Sequence, residues 1–203
     1  DASCYAYVFL GMLAGPRFGN YPVGYRFGKL GHDLVEQRGL HRYRARAFMD
    51  FGTLVMPWTK HVRTGRELQR RAFDVANKAG DLTYAAYSCN VLYTNLLAGG
   101  EPLPDVYRET DMGPAFATQA RGGLVVDVIT TQRAFIRTLR GMTPAFGSFD
   151  EEGFDEREFE RHLAASPWLA LGGCWYWVRK LQAGFFGGVC LPVCGGIASA
   201  RLS

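Results

Sequence analysis

Two cysteines near the carboxyl end, Cys190 and Cys194, form the most conspicuous pair of thiols in the sequence. A zinc site needs about four ligands, and no further cysteine or histidine follows this pair at a suitable spacing. A disulfide across the intervening proline-containing turn is the other chemistry open to them. We favour an irregular terminal tail with incidental thiols. The sequence therefore predicts no metal site and no cofactor.

The four histidines are spread widely along the chain, and no His-x-x-x-His or His-Glu-x-x-His unit is present. A Gly-x-Ser-x-Gly elbow is also missing. Spacing alone leaves Ser-His-Asp or Cys-His catalysis open, because the fold can bring distant residues together. We expect surface or hydrogen-bonded histidines and predict no catalytic residue. The alternative is a hydrolase with a carboxylate or histidine in a pocket between helices, and its candidates are His61, Asp150 and Glu152.

An acidic run is the densest charge cluster of the chain. Paired carboxylates could perform the acid and base steps of glycoside hydrolysis. Arg157 and Arg161 interrupt the run, and such a mixture usually forms a solvated helix face with ion pairs one turn apart. We therefore expect a surface helix over residues 149–162. The run consists of Asp150, Glu151, Glu152, Asp155, Glu156, Glu158 and Glu160.

Eight basic residues lie within one expected helical hairpin, with aromatic residues between them. Stacking rings and phosphate contacts could bind single-stranded nucleic acid, and the acidic segment near Asp155 is an equally good electrostatic partner. The formal net charge is only +4, and no base-reading motif is present, so nucleic acid is not the expected partner. From this group we predict that Trp58, Arg63 and Arg66 bind a protein or peptide.

A second aromatic group lies near the carboxyl end: Trp168, Trp175, Tyr176, Trp177, Phe185 and Phe186. On a helix, Trp175 and Trp177 cannot share a face, so at least one of them points away from the main core. Core packing and an exposed apolar surface both remain open. An exposed surface would drive dimerisation or form a ligand pocket. We predict that Trp175 and Trp177 belong to a binding surface and that the chain forms a homodimer through it.

Helical periodicity indicates the elements that position these residues. One apolar stripe runs from Ala45 to Met56, and another runs from Leu68 to Ala79. Gly80 is placed to end the second helix, and Asp81 to cap the next. Further helices are expected over 4–13, 24–37, 84–95, 124–139 and 168–186. Hairpin centres recur every 40 residues or so, which is typical of stacked helix pairs.

These patterns predict an all-α fold. We expect a degenerate, TPR-like α-solenoid of antiparallel helical hairpins over residues 1–187, followed by an irregular tail over 188–203. An irregular helical bundle is the structural alternative. The composition, 48% apolar and 21% charged, excludes a disordered chain.

The number of cysteines and the length of the apolar N-terminal stretch indicate the cellular compartment of the protein. Five cysteines, an odd number, imply no disulfide framework and favour a reducing cytoplasm. The apolar stretch over residues 4–14 has no basic region before it and is too short to cross a bilayer, which needs about 20 residues. We therefore expect a cytoplasmic protein with no membrane association. Because the chain starts at Asp1, we expect a segment of a larger protein.

Six sequence segments carry a resemblance to a known family: 25–31 (YRFGKLG), 81–88 (DLTYAAYS), 126–132 (VDVITTQ), 136–141 (IRTLRG), 146–149 (FGSF) and 174–182 (CWYWVRKLQ). Together they resemble the tetratricopeptide-like helical region of large bacterial signalling proteins. Those proteins join a serine/threonine-kinase-like domain, a P-loop ATPase domain, this helical region, a GAF domain and often a histidine-kinase module. The resemblance covers roughly residues 3–187, and the stretch from Gly187 departs from the family's alanine-rich helices.

The resemblance implies a role and not a reaction. The family's catalytic parts lie in other domains, and this chain has no P-loop, no His-Arg-Asp loop and no Asp-Phe-Gly motif. The expected function is a non-catalytic helical-repeat scaffold for protein–protein interaction in bacterial signalling, within a larger kinase/ATPase protein.

Overall fold

The computed structural model describes residues 2–110, 123–165 and 167–188. Helices dominate these residues, and the described part of the chain has no β-strand, only an isolated bridge between Glu151 and Phe154. The predicted all-α fold is confirmed. The TPR-like solenoid arrangement stays a prediction, and so does the division into a repeat domain over 1–187 and a tail over 188–203. The chain divides into two compact units, Asp1–Glu101 and Pro102–Ser203.

Unit 1 contains five α-helices and three short helical turns among its described residues. The α-helices are α1 (Ser3–Ala14), α2 (Tyr21–Arg38), α3 (His41–Asp50), α4 (Arg66–Lys78) and α5 (Leu82–Ala98). The turns are a π-turn over Phe51–Val55 and 3-10 turns over Met56–Trp58 and Val62–Gly65.

Unit 2 contains four α-helices among its described residues. They are α6 (Leu103–Thr110), α7 (Leu124–Leu139), α8 (Glu156–Ala164) and α9 (Ala170–Phe186), and a 3-10 turn over Pro167–Leu169 precedes the last of them.

Helices α1 and α2 form an antiparallel hairpin whose backbones touch. A Cβ atom at Gly11 would lie 2.7 Å from the carbonyl oxygen of Gly24 and 2.9 Å from the amide nitrogen of Gly28. At the other end of the pair, Gly31 lies against the backbone of Cys4 and Val8. Only glycine permits this separation, because any larger residue would push the two backbones apart.

The core of unit 1 is built from α1 to α4 and the π-turn. The predicted stripe from Ala45 to Met56 lies on one continuous helical path, but its hydrogen-bonding pattern changes from α to π after Asp50. Pro57 has no amide hydrogen for the preceding turn, which accounts for the end of regular helix there. The buried residues of this cluster are Cys4, Val8, Val35, Ala47, Phe48, Phe51, Val55, Met56 and Ala72.

The junction between α4 and α5 has the helix end and the N-cap that the sequence predicts. Gly80 has a φ of +71°, the left-handed conformation that commonly follows a helix. The carboxylate of Asp81 accepts a hydrogen bond from the amide of Tyr84 at 3.2 Å. Both the predicted helix end and the predicted N-cap are confirmed.

In unit 2, α7 spans the predicted residues 124–139, but the acidic helix differs from its prediction. A helix over 149–162 is wrong: α8 begins at Glu156. Asp155 caps it by accepting from the amide of Glu158 at 2.8 Å, and Asp150 accepts from the amide of Glu156 at 2.8 Å. These side chains replace the intrahelical bonds that would have extended the helix toward Phe149.

Candidate functional site

One face of α9 is built into unit 2. Tyr176, Arg179 and Ala183 are buried, and so is Gly172, at spacings that place all four on one side of the helix. They pack toward α7 and α8. This buried side fixes α9 against the rest of unit 2, and the opposite side of the helix faces solvent.

The hydroxyl of Tyr176 lies between two carboxylates of α8. Its oxygen is 2.7 Å from Glu156 Oε1 and 2.6 Å from Glu160 Oε1. Burial raises the pKa of the Tyr176 hydroxyl far above its ordinary value, and the two carboxylates, which share its single proton as acceptors, raise it further. Lys180 Nζ lies 2.6 Å from Glu156 Oε1, so a cation of α9 also pairs with α8.

Arg179 connects α9 to α7. Its guanidinium donates to the side-chain oxygen of Gln132 on α7 and, at 2.8 Å, to Gln182 Oε1 on its own helix. It also lies 5.7 Å from the ring centre of Phe135 and 5.3 Å from that of Trp175. Burial lowers the pKa of Arg179 to about 10, so it remains a cation at neutral pH.

The opposite face of α9 carries an exposed apolar row, which we name the α9 stripe. Its spacing is three, four, three and four residues, the a/d pattern of a two-helix coiled coil. All five side chains are exposed, and none carries a charge. The stripe consists of Leu171, Cys174, Val178, Leu181 and Phe185.

Trp175 and Trp177, both predicted to bind, flank the α9 stripe on its two sides. Each is half-buried. Trp177 packs against the ring of Tyr176 with centroids 5.0 Å apart, and Trp175 lies over Arg179. Their separation on the helix agrees with the sequence argument, while binding through them stays a prediction.

Trp168 and Phe186 lie at the two ends of the same segment. Trp168 is 89% exposed in the 3-10 turn before α9, and Phe186 is 62% exposed at its last residue. Together with Phe185, which is 80% exposed, they place three solvent-exposed aromatic rings on a short stretch of chain. Exposed rings in this number usually mark an interaction surface.

The predicted binding residues of unit 1 have local contacts. Arg66 Nε donates to Asn95 Oδ1 at 2.8 Å and its Nη1 pairs with Glu101 Oε1 at 2.7 Å. Arg63 donates to the carbonyl oxygen of Gly99 at 2.8 Å and lies 3.1 Å from Glu101. The two arginines therefore close the carboxyl end of α5, where backbone carbonyls need donors. A binding role for them stays a prediction.

Trp58, the third predicted binding residue of unit 1, is exposed to solvent. Its ring is 56% exposed, although the indole nitrogen donates to the carbonyl oxygen of Leu54 at 2.9 Å and the ring lies 5.2 Å from that of Tyr21. Elsewhere in the basic hairpin, Arg44 and Arg71 both bind Glu36, at 2.7 and 2.8 Å. These pairs neutralise part of the basic group within unit 1.

The hydrolase candidates also have structural contacts. His61 Nδ1 accepts a hydrogen bond from the amide of Arg63 at 3.2 Å and so caps a 3-10 turn. Asp150 caps the start of α8, and Glu152 is exposed to solvent. Within the described residues, no group of three or more His, Cys, Asp or Glu is arranged to hold a metal ion. Cys190 and Cys194 lie outside the described residues.

No known protein family, curated protein or solved structure matches the chain. The resemblance to the helical region of bacterial signalling proteins therefore stays a prediction. Over the ranges that the structure describes, no helix is both long and apolar enough to cross a membrane.

Sequence reasoning identified the tryptophans of α9 but missed the stripe itself. Its spacing can be read directly from residues 171–185. The opposite face carries Gly172, Tyr176, Arg179 and Ala183, and it therefore includes a charged residue. By charge alone the stripe is the better candidate for the buried face. Arg179 is buried nevertheless, because its guanidinium binds Gln132 on α7.

Proposed function

We propose that the chain is a non-catalytic helical interaction module that docks a protein partner through the α9 stripe. The observation that carries this proposal is an uncharged, solvent-exposed row with coiled-coil spacing on a helix whose other face is buried. Exposing it to water is unfavourable by about 25 cal/mol per Å² of apolar surface, so covering it would favour association.

The shape of the surface supports a protein or peptide as the partner. Small-molecule sites are concave and enclose most of the ligand. A helix surface with side chains three and four residues apart is instead suited to the apolar face of another helix. Trp175 and Trp177, on either side of the stripe, would form the edges of such an interface.

A scaffold role in bacterial signalling, within a larger kinase/ATPase protein, rests on the resemblance of the six sequence segments. The proposal that the protein acts in the cytoplasm rests on its odd cysteine count. The hydrolase alternative has weaker support, because His61 and Asp150 both accept backbone hydrogen bonds that hold local turns.

Site-specific photo-crosslinking in the native host tests the docking role. The photoreactive residue p-benzoylphenylalanine replaces Val178, in the middle of the stripe, or Arg157, which is exposed on α8 of the same unit. We expect covalent protein adducts from position 178 and far fewer from position 157. Equal adduct yields at the two positions, or none at 178, would contradict the proposal.

A further inference from the structure

We infer that the occupant of the α9 stripe is the same stripe of a second copy of this chain, so that two α9 helices pair along their exposed faces. This inference rests on the proposed docking function and identifies its partner. Three observations support it: the spacing and length of the stripe, the absence of charge beside it, and the exposed apolar area.

The length of the stripe suits a short helix pair. From Leu171 to Phe185 the helix rises about 21 Å, at about 1.5 Å per residue. Five positions at three- and four-residue spacing place a side chain toward the partner on every turn. Each side chain can then insert into a gap between four residues of the facing helix, as in coiled coils. A partner must present the same spacing, and an identical α9 does so.

The residues beside the stripe favour an identical partner. In two-helix coiled coils, charged residues at the flanking positions select which helices pair. Here those positions are all uncharged, so two identical copies meet without repulsion along the whole interface. A partner selected by its charge would find no complementary residues there. The flanking residues are Ala170, Trp175, Trp177, Gln182 and Gly184.

The exposed side chains of the stripe supply the apolar area for the contact. Leu171, Leu181 and Phe185 are 52%, 50% and 80% exposed. At roughly 150–250 Å² for a fully buried ring, Phe185 alone offers on the order of 150 Å² per copy. Phe186 lies on the other side of α9, with its ring centre 6.5 Å from that of Phe135 on α7, and adds nothing to this contact. An interface of this limited size is in the weak, reversible class.

Sedimentation equilibrium across a wide range of protein concentration tests the pairing. We expect a reversible monomer–dimer equilibrium for the unsubstituted chain. Leu181→Glu places a carboxylate at the interface of both copies, and it should raise the dimer dissociation constant by roughly a hundredfold or more. The matched control is Leu30→Glu on α2. Leu30 is 43% exposed against 50% for Leu181, and its substitution should leave the dissociation constant unchanged.

The thiol of Cys174 provides a second measurement that needs no substitution. This thiol is exposed in a single copy and would be covered in the pair. Its alkylation rate, followed by mass spectrometry of the peptide that contains it, should therefore fall as protein concentration rises. Cys4 and Cys89, which are buried, serve as internal references for loss of the fold.

Each outcome bears on the pairing. A chain that is monomeric at every concentration, or a dimer that Leu181→Glu leaves intact, would overturn it. Slow alkylation of Cys174 at every concentration would do the same, because a segment of the same chain would then cover the stripe. If the chain is monomeric but position 178 still crosslinks to a different protein, the docking function stands and only the identity of the partner is wrong.

Discussion

Replacing Tyr176 with phenylalanine removes one hydroxyl and leaves the ring in place, so it measures what the two carboxylates of α8 contribute to unit 2. The hydroxyl contacts Glu156 at 2.7 Å and Glu160 at 2.6 Å. Hydrogen bonds to charged groups contribute about 1.5–3 kcal/mol. Glu156 keeps Lys180 and the amide of Phe149 as partners after the substitution. We therefore expect a loss of about 2 kcal/mol in the free energy of unfolding at neutral pH.

The same substitution should change the pH dependence of stability. In the unfolded chain a tyrosine ionises near pH 10, whereas burial and the two carboxylates keep Tyr176 neutral in the folded chain. The stabilisation from the raised pKa is fully present below about pH 10 and is lost above it, because the unfolded state then binds fewer protons. By about pH 11 the loss amounts to about 1.4 kcal/mol. The phenylalanine variant has no hydroxyl to ionise at this position and does not lose this stability. The difference in free energy of unfolding between the two proteins should therefore shrink to well under about 1 kcal/mol near pH 11.

Urea unfolding followed by far-ultraviolet circular dichroism, at neutral pH and near pH 11, measures both effects. The matched control is Tyr7→Phe in unit 1. The ring of Tyr7 is stacked against Phe27 with centroids 6.3 Å apart, and its substitution should change stability by less than about 0.5 kcal/mol. If Tyr176→Phe loses less than about 0.5 kcal/mol at neutral pH, or if its deficit is the same at both pH values, the described hydrogen bonds do not form.

Three further predictions concern the fold. Gly11→Ala should lower the free energy of unfolding by at least about 2 kcal/mol in a thermal unfolding assay, because the new methyl group meets backbone atoms. The control is Gly173→Ala, also inside a helix but with open space around its Cβ. It should raise the free energy of unfolding by up to about 1 kcal/mol in the same assay. Equal effects at the two glycines would contradict the close approach of α1 and α2. Arg66→Ala should cost about 1 kcal/mol in urea unfolding, since it removes the hydrogen bond that Arg66 Nε donates to the buried Asn95 Oδ1, and a neutral result would show that this hydrogen bond does not form. Asp81→Ala should cost about 1 kcal/mol by the same measurement, while Asp81→Asn, which can still accept from the helix amide, should cost a few tenths.

The positions of several helices could be predicted from the sequence, because apolar periodicity and the residues that cap helices depend only on neighbouring positions in the chain. The junction at Gly80 and Asp81 and the span of α7 are examples. The start of α8 could not be predicted in the same way. Asp150 and Asp155 are compatible with a helix by composition, and only the folded chain shows that their carboxylates bind backbone amides instead.

The candidate site could be predicted only in part. Trp175 and Trp177 were correctly separated on the helix, because that depends on the helical repeat alone. The ion pair between Arg66 and Glu101 could not be predicted, because the two residues are 35 positions apart in the sequence and no local pattern links them. The two arginines predicted to bind a partner, Arg63 and Arg66, contact the end of α5 in their own unit, and their binding role stays a prediction.

Arg179 has a consequence for the orientation of α9. Two largely uncharged faces on one helix allow alternative packings that differ by a rotation about the helix axis, and apolar burial discriminates poorly between them. A shift of one residue would rotate α9 by about 100° and draw the guanidinium away from Gln132. A buried cation without a partner is strongly unfavourable, so the hydrogen bond between Arg179 and Gln132 favours one rotation of α9 over the others. The polar residues on the hidden side of α9 thereby determine which apolar residues meet the solvent.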